Sequence, residues 1–379
     1  MNEEKKYYRS HKTRIYPTKE QESLLFKSIG TARFAFNWGL EMWNEMYNNG
    51  EKPSGYTIRN EFIKLKDNPE YKWLKEVSKE TYSNSILDMA KAWSNYFKRS
   101  TKGKPRFKSR KNIKQSYTEN SIHAGYLQWI DNRLFIPKFR KKYCLKTSEF
   151  PRFKGEVKKV VISYRAGYWF ASVLFEMSEP PIQYKRHKVK TNKVGIDLGV
   201  KVLATMSDGC IFEKIDTKAI DKKIEKQQHR LSKKKKSSKN RLKARTKLQR
   251  LYLRKENIVK DNLHKATNFV VRHYNKIVLE DLKSSNMMKN HKLARSIANA
   301  QFYELRRQVE YKANYLHERR TLINVLFAEA FYPSSKTCSH CGHKKDKLSL
   351  SERTFKCEKC GFVENRDLNA AKNLCKLIA

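Results

Sequence analysis

Two cysteine pairs near the C-terminus, Cys338-x2-Cys341 and Cys357-x2-Cys360, constrain this chain more than any other feature, and fifteen residues separate them. Each pair offers two thiolates from one knuckle, and two knuckles close a tetrahedron around a single Zn²⁺. The alternative is two disulfides in an oxidising compartment. It sits poorly with Cys144, Cys210 and Cys375, which stand singly, as reduced thiols do in a cytosol. His340 and His343 are read as bystanders. Directly after the second pair, Asp367 opens the last helix. Asp367, Ala371, Leu374 and Ile378 follow i, i+4, i+7, i+11 spacing, so the acid lies on the stripe that turns to the core.

The charge balance says what a ribbon of this kind would serve. The chain has 379 residues, 83 Lys+Arg against 38 Asp+Glu, and a formal net charge of +45. Such an excess repels itself in a free globule and calls for a polyanionic partner. Aromatic residues make up 12% of the chain, which places the charge on folded domains rather than on a disordered tail. No apolar run approaches ~18 residues, and "MNEEKKYYRS" has no signal-peptide core. A membrane-surface role would need an anchor, and none is visible. The expectation is a cytoplasmic nucleic-acid-binding protein with no membrane partner.

Residues 7–16 read as a strand, and Thr18 with Gln21 forms a capping-box pattern that starts a helix. Helical patterning runs to about residue 47, breaks at "NNGEKPSGY", and resumes to about residue 99. Two hairpins then turn at Asp131-Asn132 and Ala166-Gly167. The first 190 residues are thus a β module with a helical insertion, closed by the basic linker "PPIQYKRHKVKTNK". Beyond it the character changes. "VGIDLGVKVLATMSDG" is an apolar strand carrying Asp197, followed by a second strand. "KIVLEDL" is a short buried strand ending in Glu280. A helix at 296–320 and the strand "INVLFAEAFY" precede the cysteines.

Between these strands, residues 217–260 hold 18 Lys/Arg and 3 Asp/Glu. Leu248, Tyr252, Val259, Leu263, Ala266 and Val270 keep a helical face, and "SKKKKSSKN" separates two antiparallel helices. The sign bias exceeds that of a solvated face. It predicts a hairpin that follows a phosphate backbone, with Lys233, Lys234, Lys235 and Lys236 in its turn.

Asp197, Glu280 and Asp367 all sit on core-facing elements. Three such acids repel one another and cost several kcal/mol unless cations neutralise them. Divalent metal is the economical solution: two Mg²⁺ ions ~4 Å apart activate water and stabilise the leaving oxygen of a phosphodiester. The residues alone therefore read as a metal-dependent nuclease.

The order strand–Asp197, strand–Glu280, zinc ribbon, helix–Asp367 resembles the split RuvC-type, RNase H-fold nuclease of the TnpB family, relatives of type V CRISPR effectors. "KTRIYPTKEQ", "ARFAFNWGLE", "GKPRFKSRKN", "GIDLGVKVLATMSDG", "VLEDLKSSNM", "PSSKTCSHCG" and "FKCEKCGFVENRDLNAAKN" stand in the family's order along nearly the whole chain. The resemblance implies an α+β multidomain fold. A β-barrel-like wedge domain (1–18 and 103–190) carries an inserted helical recognition domain (19–102). A RuvC-like α/β nuclease domain (191–333 and 364–379) carries the zinc ribbon (334–363). It further implies a guide RNA from the transposon's end, double-stranded DNA as target, and a monomer in the ribonucleoprotein of a bacterial cytosol. Specificity would come from guide pairing and a short motif beside the target. By family position, Tyr56, Lys79 and Ser83 are candidates for reading that motif. The three metal-binding acids fall on Asp197, Glu280 and Asp367, although the family's first Asp of "DRD" is Asn365 here. A miniature CRISPR effector would perform the same reaction, and an RNA-guided repressor would bind without cutting but would tolerate loss of the acids. "GIDLG" also opens the phosphate loops of actin-like ATPases, which need glycine-rich nucleotide loops absent from this chain. A DDE-type transposase uses similar acids without this domain order.

Overall fold

The computed structural model describes residues 6–100, 103–112, 114–140, 143–179, 192–282, 284–290, 294, 297–298, 300–317, 322–329, 331–349 and 352–378. Most of the basic linker after residue 179 lies outside the described residues. The chain divides into two compact units, Met1–Pro181 and Ile182–Ala379.

In the first unit, strands β1 (Tyr7–Ile15), β2 (Gln115–Asn120), β6 (Glu156–Arg165) and β7 (Tyr168–Met177) form an antiparallel sheet in the order β1-β7-β6-β2. Short strands β3 (Gln128–Ile130), β4 (Arg133–Phe135) and β5 (Leu145–Lys146) form a second. Both predicted hairpin turns are present. Asp131 (φ 50°) joins β3 to β4, and Ala166 (φ 57°) with Gly167 (φ 78°) joins β6 to β7. At the β6–β7 turn, two successive left-handed residues match the twist of the flanking strands. Along β7, Trp169, Ala171, Val173, Phe175 and Met177 alternate inward.

Between β1 and β2 the chain is helical. Helix α1 (Lys19–Asn48) starts at the predicted capping box, with Gln21 N–H donating to Thr18 Oγ1 at 3.3 Å and Thr18 N–H to Gln21 Oε1 at 3.0 Å. Helices α2 (Gly55–Lys64) and α3 (Lys79–Phe97) follow, joined by 3₁₀ segments and capped by Ser54 and Ser78. Helix α1 serves two cores. Leu25, Ile29 and Ala32 pack on the sheet residues, whereas Ala35, Phe36, Leu40 and Trp43 pack with α2 and α3.

The second unit is built on a five-stranded sheet of β8 (Lys193–Leu198), β9 (Val202–Met206), β10 (Ile211–Glu213), β11 (Lys276–Glu280) and β12 (Asn324–Ala328), ordered β10-β9-β8-β11-β12. The first three strands are antiparallel, and β8, β11 and β12 are parallel. Helices α4 (Lys218–Ser232) and α5 (Lys239–His273) form the expected hairpin, and α6 (Phe302–His317) follows β11. Val194, Ile196, Leu198, Ile277 and Leu279 share one core with α5 and α6. On α5 only the C-terminal part of the predicted stripe joins this core. Val259, Leu263, Ala266 and Val270 are buried, while Leu248 is half-buried and Tyr252 exposed, because that end of α5 packs on α4. The predicted strand "INVLFAEAFY" is also shorter than its apolar run. It ends at Ala328, and the chain turns through Phe331 at φ 72°. After β13 (Thr354–Lys356) and β14 (Val363–Asn365), helix α7 (Arg366–Cys375) packs against β8 and β11. Among the described residues no helix is long and apolar enough to cross a membrane.

Candidate active site and metal centre

The side-chain alternation of a strand decides which acids meet. Val194, Ile196 and Leu198 face α5 and α6, so Gly195 and Asp197 face the other way, toward α7. On β11, Ile277 and Leu279 face α5 and α6, leaving Val278 and Glu280 on the α7 side, where Val278 packs with Ala328 and Leu374. The parallel register pairs Val278 with Gly195. Two residues further along the same face come Glu280 and Asp197, at the C-terminal ends of adjacent parallel strands. Open α/β sheets place their ligands at such ends.

Gly195 lets the third acid approach. A Cβ at this position would lie 2.1 Å from the Ala371 carbonyl oxygen and 2.3 Å from the Cys375 nitrogen. Helix α7 therefore lies directly on the β8 backbone, which any larger residue would push away. Its buried Leu374 anchors it, and Asp367, seven residues earlier, projects from its first turn about 10 Å along the axis. Asn365 caps the helix, its Oδ1 accepting from Asp367 N–H at 2.9 Å and Leu368 N–H at 3.2 Å. An aspartate cap would add a fourth negative charge; asparagine caps as well without it.

The electrostatics follow from crowding. Burial, reinforced by the charges of Glu280 and Asp367, pushes the Asp197 carboxyl well above the ordinary carboxylate range, and the Arg366 guanidinium opposes this. Glu280 is likewise raised, first by burial, while a hydrogen bond from Ser334 Oγ at 2.7 Å works the other way. Arg366 is itself tethered to the ribbon, its Nη1 donating to the Ser349 carbonyl at 3.2 Å and the Glu352 carbonyl at 3.4 Å. Carboxyls this crowded, at a strand-end position, are suited to a hard divalent cation. The three acids share one field but do not form a tight single-ion cage. Among the described residues, only the four cysteines bring three or more possible ligand atoms within 4.8 Å of one another.

Those cysteines fit zinc closely. Sγ–Sγ separations are 3.7 Å for Cys338–Cys360 and 3.6 Å for Cys341–Cys357. Four sulfurs 2.3 Å from a tetrahedral ion would stand about 3.8 Å apart. The two knuckles are built alike. Gly342 (φ 76°) donates to the Cys338 carbonyl at 3.0 Å, and Gly361 (φ 73°) to the Cys357 carbonyl at 3.1 Å. His340 stacks on Phe362 at 5.6 Å rather than joining the cluster.

The ribbon is fastened to α7 by side chains that the sequence pattern does not single out. Buried Asn369 donates to the Thr337 carbonyl at 2.8 Å and accepts from Ser339 N–H at 2.8 Å. Buried Asn373 donates to the carbonyls of Ser334 at 2.9 Å and Thr337 at 2.6 Å. Their one signal is a pair of asparagines four residues apart on the helix bearing the apolar stripe. Ser334, Gly195 and Arg366 likewise carry no local mark of their roles.

The remaining candidates lie elsewhere. Lys233, Lys234, Lys235 and Lys236 are exposed in the α4–α5 turn, which Arg241 closes by donating to the carbonyls of Leu231 at 2.8 Å and Lys234 at 2.9 Å. Tyr56, on α2, is 64% exposed with Arg59 over its ring. Lys79 and Ser83 share a face of α3 by their i, i+4 spacing. Lys79 lies away from Tyr56. The start of α2 packs at Ala90, and Phe62 meets Tyr82, so α2 runs antiparallel to α3 and Tyr56 and Lys79 stand at opposite ends of the pair.

Residues 172–291 match a family described as "Probable transposase" (OrfB_IS605), and residues 302–374 match "Cas12f1-like, TNB domain". Residues 7–52 match a "Helix-turn-helix domain", a segment that folds here as strand β1 and the single helix α1. A Streptomyces pristinaespiralis protein named "Putative RNA-guided DNA endonuclease" is 33% identical over 97% of this chain and 88% of its own. "Putative RNA-guided DNA endonuclease InsQ" of Escherichia coli K12 is 32% identical over 97% and 92%. In fold, the Cas12f1 protein solved with its sgRNA and target DNA superposes with a TM-score of 0.56 at 15% identity, over 99% of this chain and 100% of that one. With matches of this identity along nearly its whole length, the chain belongs to the TnpB family of OrfB_IS605-type proteins.

Proposed function

We propose that this protein is an RNA-guided, metal-dependent DNA endonuclease. The observation that carries the reading is the placing of Asp197 and Glu280 on one face at the ends of adjacent parallel strands, both raised by burial, with Asp367 acting on each from α7. The names and titles of its relatives support the same reading, and so does the net charge of +45.

Asp197, Glu280 and Asp367 would hold two Mg²⁺. When bound, these supply a nucleophilic water and charge neutralisation at the leaving oxygen. The chain's own residues prepare the site. Ser334 fixes one Glu280 oxygen, and the Glu280 carboxyl also shares a side-chain hydrogen bond with Asp197. Asn365 satisfies the α7 N-terminus, so the amides of the first turn do not compete for Asp367. Arg366 offsets part of the acids' mutual repulsion until cations arrive. Cys338, Cys341, Cys357 and Cys360 would hold one structural Zn²⁺, in a closed site with no open position for substrate.

The domain roles follow the same reading. The wedge (1–18, 103–190) and helical domain (19–102) grip a guide RNA and read a motif beside double-stranded target DNA, with Tyr56, Lys79 and Ser83 as motif readers. The nuclease domain (191–333, 364–379) cuts. Lys233–Lys236 follow a phosphate backbone, and the ribonucleoprotein works as a monomer in the bacterial cytosol. Asp197→Ala tests the core of this reading. Cleavage of guide-matched DNA is expected to vanish while RNA and target binding persist; cleavage at the wild-type rate would sink the assignment.

A further inference from the structure

Beside the acids, and sharing Glu280 with them, lies a cavity of about 220 Å³ walled chiefly by Leu282, Met287, Ala328, Phe331 and Tyr332, with Asp281, Asn286 and Glu329 also on its lining. We propose that it receives one nucleobase of the strand being cut, stacked against Phe331, and so selects which phosphodiester lies over the acids. The proposal rests on the nuclease reading above and goes beyond it.

Location is the first argument. A phosphodiester held at Glu280 carries its own base, and its neighbour's, within one nucleotide's length, and the cavity begins at that same residue. Chemistry is the second. Walls that are mostly apolar, with acids among them, offer nothing to a phosphate, but they suit the flat face of a base, which stacks on aromatic rings whatever its sequence. Such indifference is what an enzyme needs when guide pairing supplies specificity. One acid of the lining is already matched: Asp281 pairs with Arg306, whose guanidinium lies 3.8 Å over the Phe327 ring.

Phe331 itself is the third argument. It is 92% exposed, more than any other large apolar side chain among the described residues. Its backbone is left-handed, φ 72°, in a turn closed by Tyr332 N–H to the Glu329 carbonyl at 3.0 Å. Glycine or asparagine would meet that geometry without strain, and a bulky side chain there is an outlier. Neither burial nor turn preference accounts for the ring. The next residue, Tyr332, packs against the Val278–Ala328–Leu374 cluster, so the ring projects from a fixed base.

The test uses the complete ribonucleoprotein and synthetic targets in which nucleotides flanking the cut are made abasic one at a time. For the wild type, one abasic position should slow single-turnover cleavage about 5- to 150-fold, the effect of removing one base–aromatic stack. Phe331→Ala should slow cleavage of intact DNA comparably, scatter the cut position, and become indifferent to that abasic site. Phe331→Trp should retain rate and position. Target binding and thermal stability should not change, since Phe331 fills no core. Equal wild-type rates at every abasic position, or an abasic effect undiminished in Phe331→Ala, would overturn the proposal. So would a Phe331→Ala protein altered in stability or oligomeric state, which would mean that a protein segment occupies the cavity. Failure of the nuclease reading is separable: it shows as continued cutting by Asp197→Ala, whatever Phe331 does.

Discussion

Each unit of this protein buries carboxylates, and the two do so for different ends. Glu119, on β2, is 1% exposed, and burial pushes its carboxyl up to about 7. It accepts hydrogen bonds from Ser78 Oγ at 2.8 Å and Thr81 Oγ1 at 2.7 Å, which join the start of α3 to the sheet. Asp197 and Glu280 are only half-buried, yet each is raised partly by another acid of the cluster, Asp197 by Glu280 and Asp367 and Glu280 by Asp367. A buried acid matched by donors is a fastener. Acids that crowd one another at strand ends are a site that awaits positive charge. Burial alone does not separate the two; the partners do.

The comparison can be broken most sharply at the backbone that brings the acids together. Gly195→Ala forces α7 off β8. It should lower cleavage by about 100-fold through misplacement of Asp367 and cost about 1–3 kcal/mol in stability. Gly30→Ala, mid-helix in α1 with nothing within 4 Å of the new Cβ, should instead stabilise by about 0.5–1 kcal/mol and leave cleavage unchanged. Equal effects from the two substitutions would remove Gly195 from the account.

Next in size is the zinc ribbon. Metal analysis should find about one zinc per chain. Cys357→Ser should lose it, and should depress cleavage far more than guide-RNA binding, because the ribbon positions α7. Zinc-free protein with four freely reactive thiols and full activity would refute this.

The two kinds of carboxylate should then part company in stability and pH. Glu119→Ala orphans two hydroxyls and should cost about 1–3 kcal/mol with cleavage per folded molecule intact. Asp197→Asn should abolish cleavage yet leave the melting temperature equal or higher, since it removes a crowded charge. Between the unfolded value of 4.5 and about 7, folded Glu119 binds the proton more tightly than the unfolded chain does. Its contribution is therefore full at the acidic end and is lost as pH rises through 7, by about 3 kcal/mol at most. Glu119→Gln should flatten that slope, and a slope unchanged in the variant would show that another group sets it.

The smallest effect expected is at the α4–α5 turn. Replacing Lys233, Lys234, Lys235 and Lys236 with Gln should leave melting unchanged. It should flatten the dependence of log K on log[salt] for nucleic-acid binding by about 0.7–0.9 for each phosphate that the lysines no longer neutralise. An unaltered slope would mean that the run only keeps the protein soluble.

The features legible in the sequence are those with a short period or fixed spacing. Short apolar runs carrying an acid mark β8 and β11, the cysteine spacing marks the knuckles, and Thr18 with Gln21 marks the start of α1. What escapes is relational. Nothing local marks Gly195 as the point where a helix far along the chain must lie against the strand. Asn369 and Asn373 look like helix-surface polar residues until the ribbon's carbonyls arrive. Tyr56 and Lys79 are close in sequence, but the antiparallel run of α2 and α3 separates them. The apolar run through Phe331 reads as strand because hydrophobicity does not report a left-handed backbone.

The asparagine ties between ribbon and α7 carry a consequence for the cell. Under the function proposed above, zinc never touches DNA, yet the hold on Asp367 depends on it through Thr337, Ser339 and Ser334. The trace-metal supply of the host would then govern how many copies are armed. In scarcity the protein would persist as a docile nucleic-acid binder, and with replenishment it would regain its cut without new synthesis.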